Sequence, residues 1–398
     1  MKLVVIGFGQ CGGNIADEFK HLDNKARLRR RIKIISDVFA VNTDTTDLES
    51  LRHIKSDYHH RILIGNRQTG GHGVGKINEV AARLASEDGD KIIDAVRSAK
   101  DLYEADAFLL ITGAAGGTGS GSMPITARMI KKRFHDKPIY TLIALPFEHE
   151  EQTDARTYHN TATCLKAAYS VSKAVFLFDN QRYIEKDSSL LNNMKAINEL
   201  IAEPFYDLLC AGEVKKAKNV GTRLLDGGDI ISTLEGLTIV GYGVSQLPII
   251  KIPFERRHNF KNKSTETQKG ISAMEQALSN LSVECNPLDS ASALYLLSAP
   301  TKEMNMNLVK ELSRYLSDTA PEAIVRYGDY PRGESTLKIT VILSQLSSLY
   351  KVKQYYDKMP SYMQKTELLQ KKSDSKLKEL IGASACVPSL FSMSDNED

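Results

Sequence analysis

A chain of 398 residues is too long for one ordinary hydrophobic core, so two domains are expected. Its 42% hydrophobic and 25% charged residues suit a soluble globular protein, and a formal charge of +3 gives no support to a nucleic-acid or membrane-surface partner. Five cysteines without a CxxC or Cys/His cluster argue against zinc and disulfides, and no apolar run approaches the ~18 residues of a membrane span, so a cytoplasmic location is expected.

In chain order, residues 2–6 are apolar and β-branched and stop at Gly7, which predicts a buried strand. A helical pattern begins over Ile15 to Phe19. The basic run Arg29-Arg30-Arg31 reads as a solvated helix end or loop, because it lacks interleaved aromatics. A strand is predicted over 34–41, helices over 77–86 and 91–100, and an apolar strand over 107–112 that runs into glycines. A helix over 123–134 and strands over 139–145 and 174–178 follow. This alternation points to a parallel sheet covered by helices on both faces. Residues 190–212 read as one long helix, which Pro204 should kink or disturb. After Gly227-Gly228 a second α/β block begins, with strands at 237–242, 293–298 and 336–343 and helices at 270–281, 304–318 and 347–358. The charged stretch from about 360 and the polar, acidic end SMSDNED predict a partly helical or flexible tail, whose partners are unknown.

Three glycine clusters carry the chemistry. Gly7-Phe8-Gly9-Gln10-Cys11-Gly12 matches GxGxxG between a strand and a helix, a bare backbone whose amides can approach a phosphate. Alone it suits a dinucleotide-binding oxidoreductase equally well, with Asp44 as the ribose acid, or a plain turn. Ala115-Gly116-Gly117-Thr118-Gly119-Ser120-Gly121 places four glycines and two hydroxyl residues over seven positions, an anion-binding nest that neither reading needs. Gly70-Gly71-His72-Gly73-Val74-Gly75-Lys76-Ile77 nearly spells a P-loop, but Ile77 stands where a magnesium-binding hydroxyl belongs. It reads better as a loop beside the terminal phosphates.

Residues 115–121 match the signature loop of the tubulin/FtsZ family without a mismatch. Gly9-Gln10-Cys11-Gly12 resembles the first nucleotide loop of tubulins, Asn42-Thr43-Asp44 the second loop of FtsZ, and the glycines at 70–75 its third. The likeness runs from residue 1 to about 358, and Met274 through Tyr356, with SALYLLSAP and KEMNMNLVKEL, is most similar to the archaeal CetZ branch. The resemblance implies an α/β fold: a parallel-sheet GTPase domain (1–188), a long central helix with the loop after it (189–230), a smaller α/β domain (231–358) and a tail (359–398).

It also implies GTP/GDP as ligand, Mg²⁺ held through the phosphates near Gln10 or Asp44, and a head-to-tail homopolymer as the partner state. By position, Gly9, Gln10, Cys11, Gly12, Asn42, Asp44, Gly70, Gly71, Gly73 and residues Ala115, Gly116, Gly117, Thr118, Gly119, Ser120 and Gly121 surround the nucleotide, with Gln10 near the magnesium and Cys11 near the nucleoside. Asn180 and Asn198 match asparagines that read guanine, an edge an amide can pair with as both donor and acceptor. Glu148, Glu150 and Glu151 compete for the ribose, and Glu151 is the choice; the family's FEG pattern is absent.

No Walker lysine or arginine finger stands near these loops, so something must still ready the attacking water. Asp226 and Asp229, in Leu225-Asp226-Gly227-Gly228-Asp229, resemble the paired acids that reach the next subunit's γ-phosphate. Leu224 replaces the family's asparagine there, which keeps open a polymer that binds GTP and barely hydrolyses it. A plain acidic turn with Asp229 as a helix cap is the other reading. The CetZ likeness implies a role in cell shape, by analogy of family alone.

Overall fold

In the computed structural model, residues 1–184, 189–211, 213, 225–247 and 260–384 are described. The first strand, β1 (Leu3–Phe8), turns directly into α1 (Gly9–Arg30), and β2 (Ile35–Asn42) into the short α2 (Thr45–Glu49). Next come β3 (Arg61–Leu63), α3 (Asn66–Thr69), α4 (Asn78–Glu87) and α5 (Gly89–Arg97). β4 (Ala107–Gly113) leads into α6 (Gly117–Arg133), and β5 (Ile139–Leu145) into α7 (Glu148–Thr153) and α8 (Arg156–Val171). β6 (Ala174–Asp179) precedes the long α9 (Leu190–Ala211), in which Pro204 lies without ending the helix.

The rest comprises α10 (Gly227–Thr233), β7 (Gly236–Gln246), α11 (Phe260–Ser279), β8 (Ser290–Ala299) and α12 (Met306–Thr319). β9 (Ile324–Pro331), β10 (Thr336–Leu346) and α13 (Tyr350–Ser384) complete it. The tail is thus helical as far as Ser384, while the acidic end SMSDNED lies outside the described residues.

The ten strands among the described residues join one sheet in the order β3-β2-β1-β4-β5-β6-β7-β10-β8-β9. β1 through β7 pair in parallel. The seam between β6 and β7 is narrow, with Ala174, Val175 and Phe176 opposite Gly236, Leu237 and Thr238. Beyond it β10 is antiparallel to both β7 and β8, so the second block is mixed rather than parallel. The two strands absent from the sequence reading, β3 and β9, are the sheet's edges. One is three residues long, and the other holds Gly328 and Asp329 and ends on Pro331, features that edge strands tolerate and central strands do not.

Strand side chains alternate between two cores, as a period of two requires. Val4, Ile6 and Phe8 face Met123 and Ile130 of α6, Leu165 of α8, and the wall continued by α11, α12 and α13. Leu3 and Val5 face Ile15 and Phe19 of α1 and Ile201 and Phe205 of α9. Both α1 and α6 start earlier than hydrophobic periodicity suggests, at Gly9 rather than near Ile15 and at Gly117 rather than 123. Their first turns are built from glycine, which no apolar pattern reveals.

Candidate nucleotide cleft

Loops at the carboxyl ends of β1, β2, β4, β5 and β6 enclose a cleft of about 330 Å³. Two of its walls are helix starts. α1 begins behind Phe8 and α6 behind Gly116, and neither start has a side-chain cap. First-turn amides are therefore left for a ligand or water, backed by the positive ends of helices of 22 and 17 residues. Paired ends of this kind attract an oxyanion.

Glycine has two purposes along 115–121. A Cβ on Gly116 would meet nothing within 4 Å, so this residue lies against open space. A Cβ on Gly121 would collide with the Asn78 carbonyl, one on Gly119 with Thr112 Oγ1, and one on Gly117 would lie 2.7 Å from the Lys76 carbonyl carbon. Close packing of α6 against its neighbours demands these three.

The other loops are stiffened by side chains. Asn42 Oδ1 accepts from the Thr43 and Asp44 amides at 2.8 and 3.2 Å, while its Nδ2 donates to Asp47 at 3.0 Å. Asp44 caps α2 by accepting from the Thr46 and Asp47 amides. The hydroxyls of Thr43 and Thr118 lie 2.7 Å apart and tie this loop to α6. Fully buried Asn160 donates to the carbonyls of Lys76 at 3.0 Å and Ala115 at 2.9 Å, stitching the third loop to the signature loop. Lys76 itself holds a left-handed φ of 62°.

Asn180 lines the cleft, 7% exposed, and its Oδ1 has no hydrogen-bond partner among the described residues. A buried amide oxygen in that condition has an unmet need for a donor. Burial, and then the Glu150 carboxylate, push the Cys11 thiol up to about 12, so it stays neutral in the cleft wall. Burial also holds the Asp47 carboxyl above its usual range, against hydrogen bonds from Asn42 and Gln10.

Among the expected residues, Gly9, Gln10, Cys11, Asn42, Asp44, Gly73, Ala115, Gly116, Gly117, Thr118, Gly119 and Asn180 line the cleft. Gly12, Gly70, Gly71, Ser120, Gly121, Asn198 and Glu151 do not. Gly12 packs on the Ile111 carbonyl, and Ser120 turns its hydroxyl back to Gly116 O. Gly70 and Gly71 form the left-handed turn behind α3. Asn198 lies one turn beyond Met194, the α9 residue that does reach the cleft. Of the three acids weighed for the ribose, Glu150 faces the cleft and Glu151 does not. The turn of α7 points Glu151 at α13, where Tyr355 donates to it at 2.6 Å and Lys351 lies 3.4 Å away.

A model described as the Tubulin/FtsZ family GTPase domain matches residues 2–186, and one described as the Tubulin-like CetZ C-terminal domain matches residues 187–359. Tubulin-like protein CetZ1 of Haloferax volcanii is 31% identical, covering 89% of this chain and 90% of that one. The chain belongs to the CetZ branch of the tubulin/FtsZ family of cytoskeletal GTPases.

Solved CetZ structures agree in shape. The GDP-bound CetZ1 monomer from Haloferax volcanii has a TM-score of 0.76 at 29% identity, covering 89% of this chain and 97% of that one. The GTPγS-bound CetZ2 protofilament from the same organism has a TM-score of 0.79 at 26% identity, covering 92% and 100%.

In this CetZ chain Asp226 and Asp229 lie far from the cleft. Asp226, not Asp229, caps α10, accepting from the Asp229 amide at 2.7 Å. A Cβ on the next residue, Gly227, would sit 3.9 Å from Asp106 and from Met1, at the amino end of the parallel strands. The cleft is at their carboxyl end, the length of β1 away. Leu224 lies outside the described residues. Sequence reasoning missed Asp47, Asn160 and Met194, and only Asp47, three residues after a cap, left a trace in the local pattern.

Proposed function

We propose that this chain binds GTP in the cleft and hydrolyses it to GDP and phosphate when a second copy stacks head to tail. The observation that carries this reading is the separation of parts: phosphate cradle at one end of the parallel sheet, paired acids at the other. A lone chain keeps Asp226 and Asp229 away from its own terminal phosphate. A copy stacked in the same orientation presents them toward the open cleft of the next.

The α1 and α6 amides hold the phosphates, Asn180 accepts from the guanine edge, and Glu150 is the acid nearest the sugar side. Among the described residues no three His, Cys, Asp or Glu side chains gather into a metal group. Mg²⁺ takes one or two carboxylates plus phosphate oxygens, and Asp44 and Asp47 beside Gln10 each keep one oxygen for it, Asp44 being engaged through Oδ1 in capping and Asp47 through Oδ2 by Asn42. When bound it would offset charge on the transferred phosphoryl group. The acids from the neighbouring copy orient the water and take its proton.

The protofilament of the CetZ2 relative supports assembly, and the GDP and GTPγS of the two relatives support the ligand. Phosphate release per chain, measured against protein concentration, tests the reading. Turnover should rise with concentration and vanish in Asp226→Ala; turnover that stays flat sinks the shared site. A cytoplasmic role in cell shape rests on kinship alone, and imaging the outline of cells lacking the protein tests it.

A further inference from the structure

The basic run at Arg29 to Arg31 takes no part in the nucleotide cleft. α1 carries it back to the amino end of β1, where it borders a separate cleft of about 630 Å³. Six cations line this cleft: Lys2, Arg29, Arg30, Arg31, Lys33 and Arg332. They come from three separate segments: four stand at or just past the end of α1, where a helix favours positive charge, and Lys2 and Arg332 are brought to them by the fold.

Its floor is built and its rim is free. Asp207 of α9 accepts from Arg30 at 3.0 Å and from Arg332 at 2.9 Å, and the Arg30 guanidinium lies 4.3 Å from the centre of the Tyr206 ring. Arg332 has a side chain only 4% exposed; its Nη1 is engaged, while Nε and Nη2 have no partner among the described residues. These two donors are shielded, so the guanidinium acts on an anion in the cleft by its charge from below rather than by contact. At the rim, Arg29 and Arg31 are exposed and make no ion pair among the described residues. Arg31 holds φ 57° at the end of α1, a left-handed position where glycine or asparagine is the ordinary choice. Three carboxylates also line the cleft, and each is engaged: Glu213 by the Met1 amino group at 3.0 Å, Glu104 by Lys2 at 2.5 Å, and Glu334 by Arg332 at 3.1 Å and Lys338 at 3.8 Å.

We propose that this cleft is a second anion site that takes a multiply charged phosphate, on the end of the molecule opposite the nucleotide. Planar arginine forks suit phosphate oxygens. The same chemistry is offered by a free polyphosphate and by a phosphorylated lipid headgroup.

Full-length chain saturated with GDP, titrated calorimetrically with sodium tripolyphosphate at low salt, tests this. One site per chain is expected, weakening with added salt and at least tenfold weaker in Arg29→Ala/Arg31→Ala. Both substitutions are exposed, and unchanged GDP affinity and melting temperature show that the fold is intact. Co-sedimentation with phosphatidylcholine vesicles, with and without a phosphoinositide, forms the second arm. Pelleting that needs both the phosphoinositide and the two arginines supports the site and assigns its source to a headgroup. Tripolyphosphate binding without pelleting supports the site and assigns it to a soluble phosphate. Neither signal, or either signal unchanged in the double variant, overturns the proposal.

Discussion

The two ends of the parallel sheet solve recognition by different means. At the carboxyl end the backbone faces the cleft: uncapped helix starts, bare glycines and few charged side chains. At the amino end the side chains act: Asp226 caps its own helix, and Asp207 gathers two arginines. Backbone donors cannot be removed by substitution, only obstructed, whereas a carboxylate can be deleted cleanly. The difference teaches where mutations separate folding from function.

The largest effect is expected where glycine is a packing device. Gly121→Val should cost about 3 kcal/mol of stability by overpacking against the Asn78 carbonyl, seen as a lower melting temperature. Gly116→Ala, five residues away, should leave melting unchanged and weaken GDP binding, because its new methyl enters open cradle. Equal melting losses in both would erase the distinction drawn between them. Next, Asn180→Ala should cost GDP about 2 kcal/mol of binding by stranding a donor of the base, measured by calorimetry against ADP as control.

At the opposite end, Asp226→Ala should lose about 1 kcal/mol of stability with its cap, and Asp226→Asn almost none, since asparagine caps as well. Both should abolish phosphate release and leave GDP affinity intact. Release that survives in the asparagine variant would separate the acid from the chemistry. Smaller still, Glu151→Gln should cost about 0.5 kcal/mol through the Tyr355 contact and spare the nucleotide, while Glu150→Gln should affect affinity.

The smallest effect is on pH dependence. Burial holds Asp47 above its ordinary pKa, so the fold binds that proton before the unfolded chain does. The nucleotide-free protein should gain stability as pH falls, fully below the unfolded pKa, and lose the gain as pH rises through the folded one. Asp47→Asn should flatten that part of the curve in chemical unfolding.

Much of this architecture was legible in the sequence where a residue's reason was local. Apolar β-branched runs announced β1, β4, β5 and β6, and the glycine clusters announced the loops that follow β1 and β4. What stayed hidden depends on distant partners. Nothing near Glu151 tells that Tyr355 will draw it away from the cleft. Nothing near Gly121 says that its neighbour is a carbonyl 43 positions earlier rather than a phosphate. The antiparallel insertion of β10 between β7 and β8 is likewise a pairing choice, invisible in strand patterns that look the same in either direction.

The root of α13 decides where this chain tolerates a fusion or a cut. Lys351 lies 3.4 Å from Glu151 and 3.7 Å from Asp179, the residue beside Asn180. A helix of 35 residues then carries the chain about 50 Å onward to Ser384. A fluorescent tag joined beyond Ser384 is held at arm's length from the Asn180 side of the cleft. A truncation placed before Tyr350 takes away the buttress that fixes the α7 turn, and would register first as a loosened nucleotide.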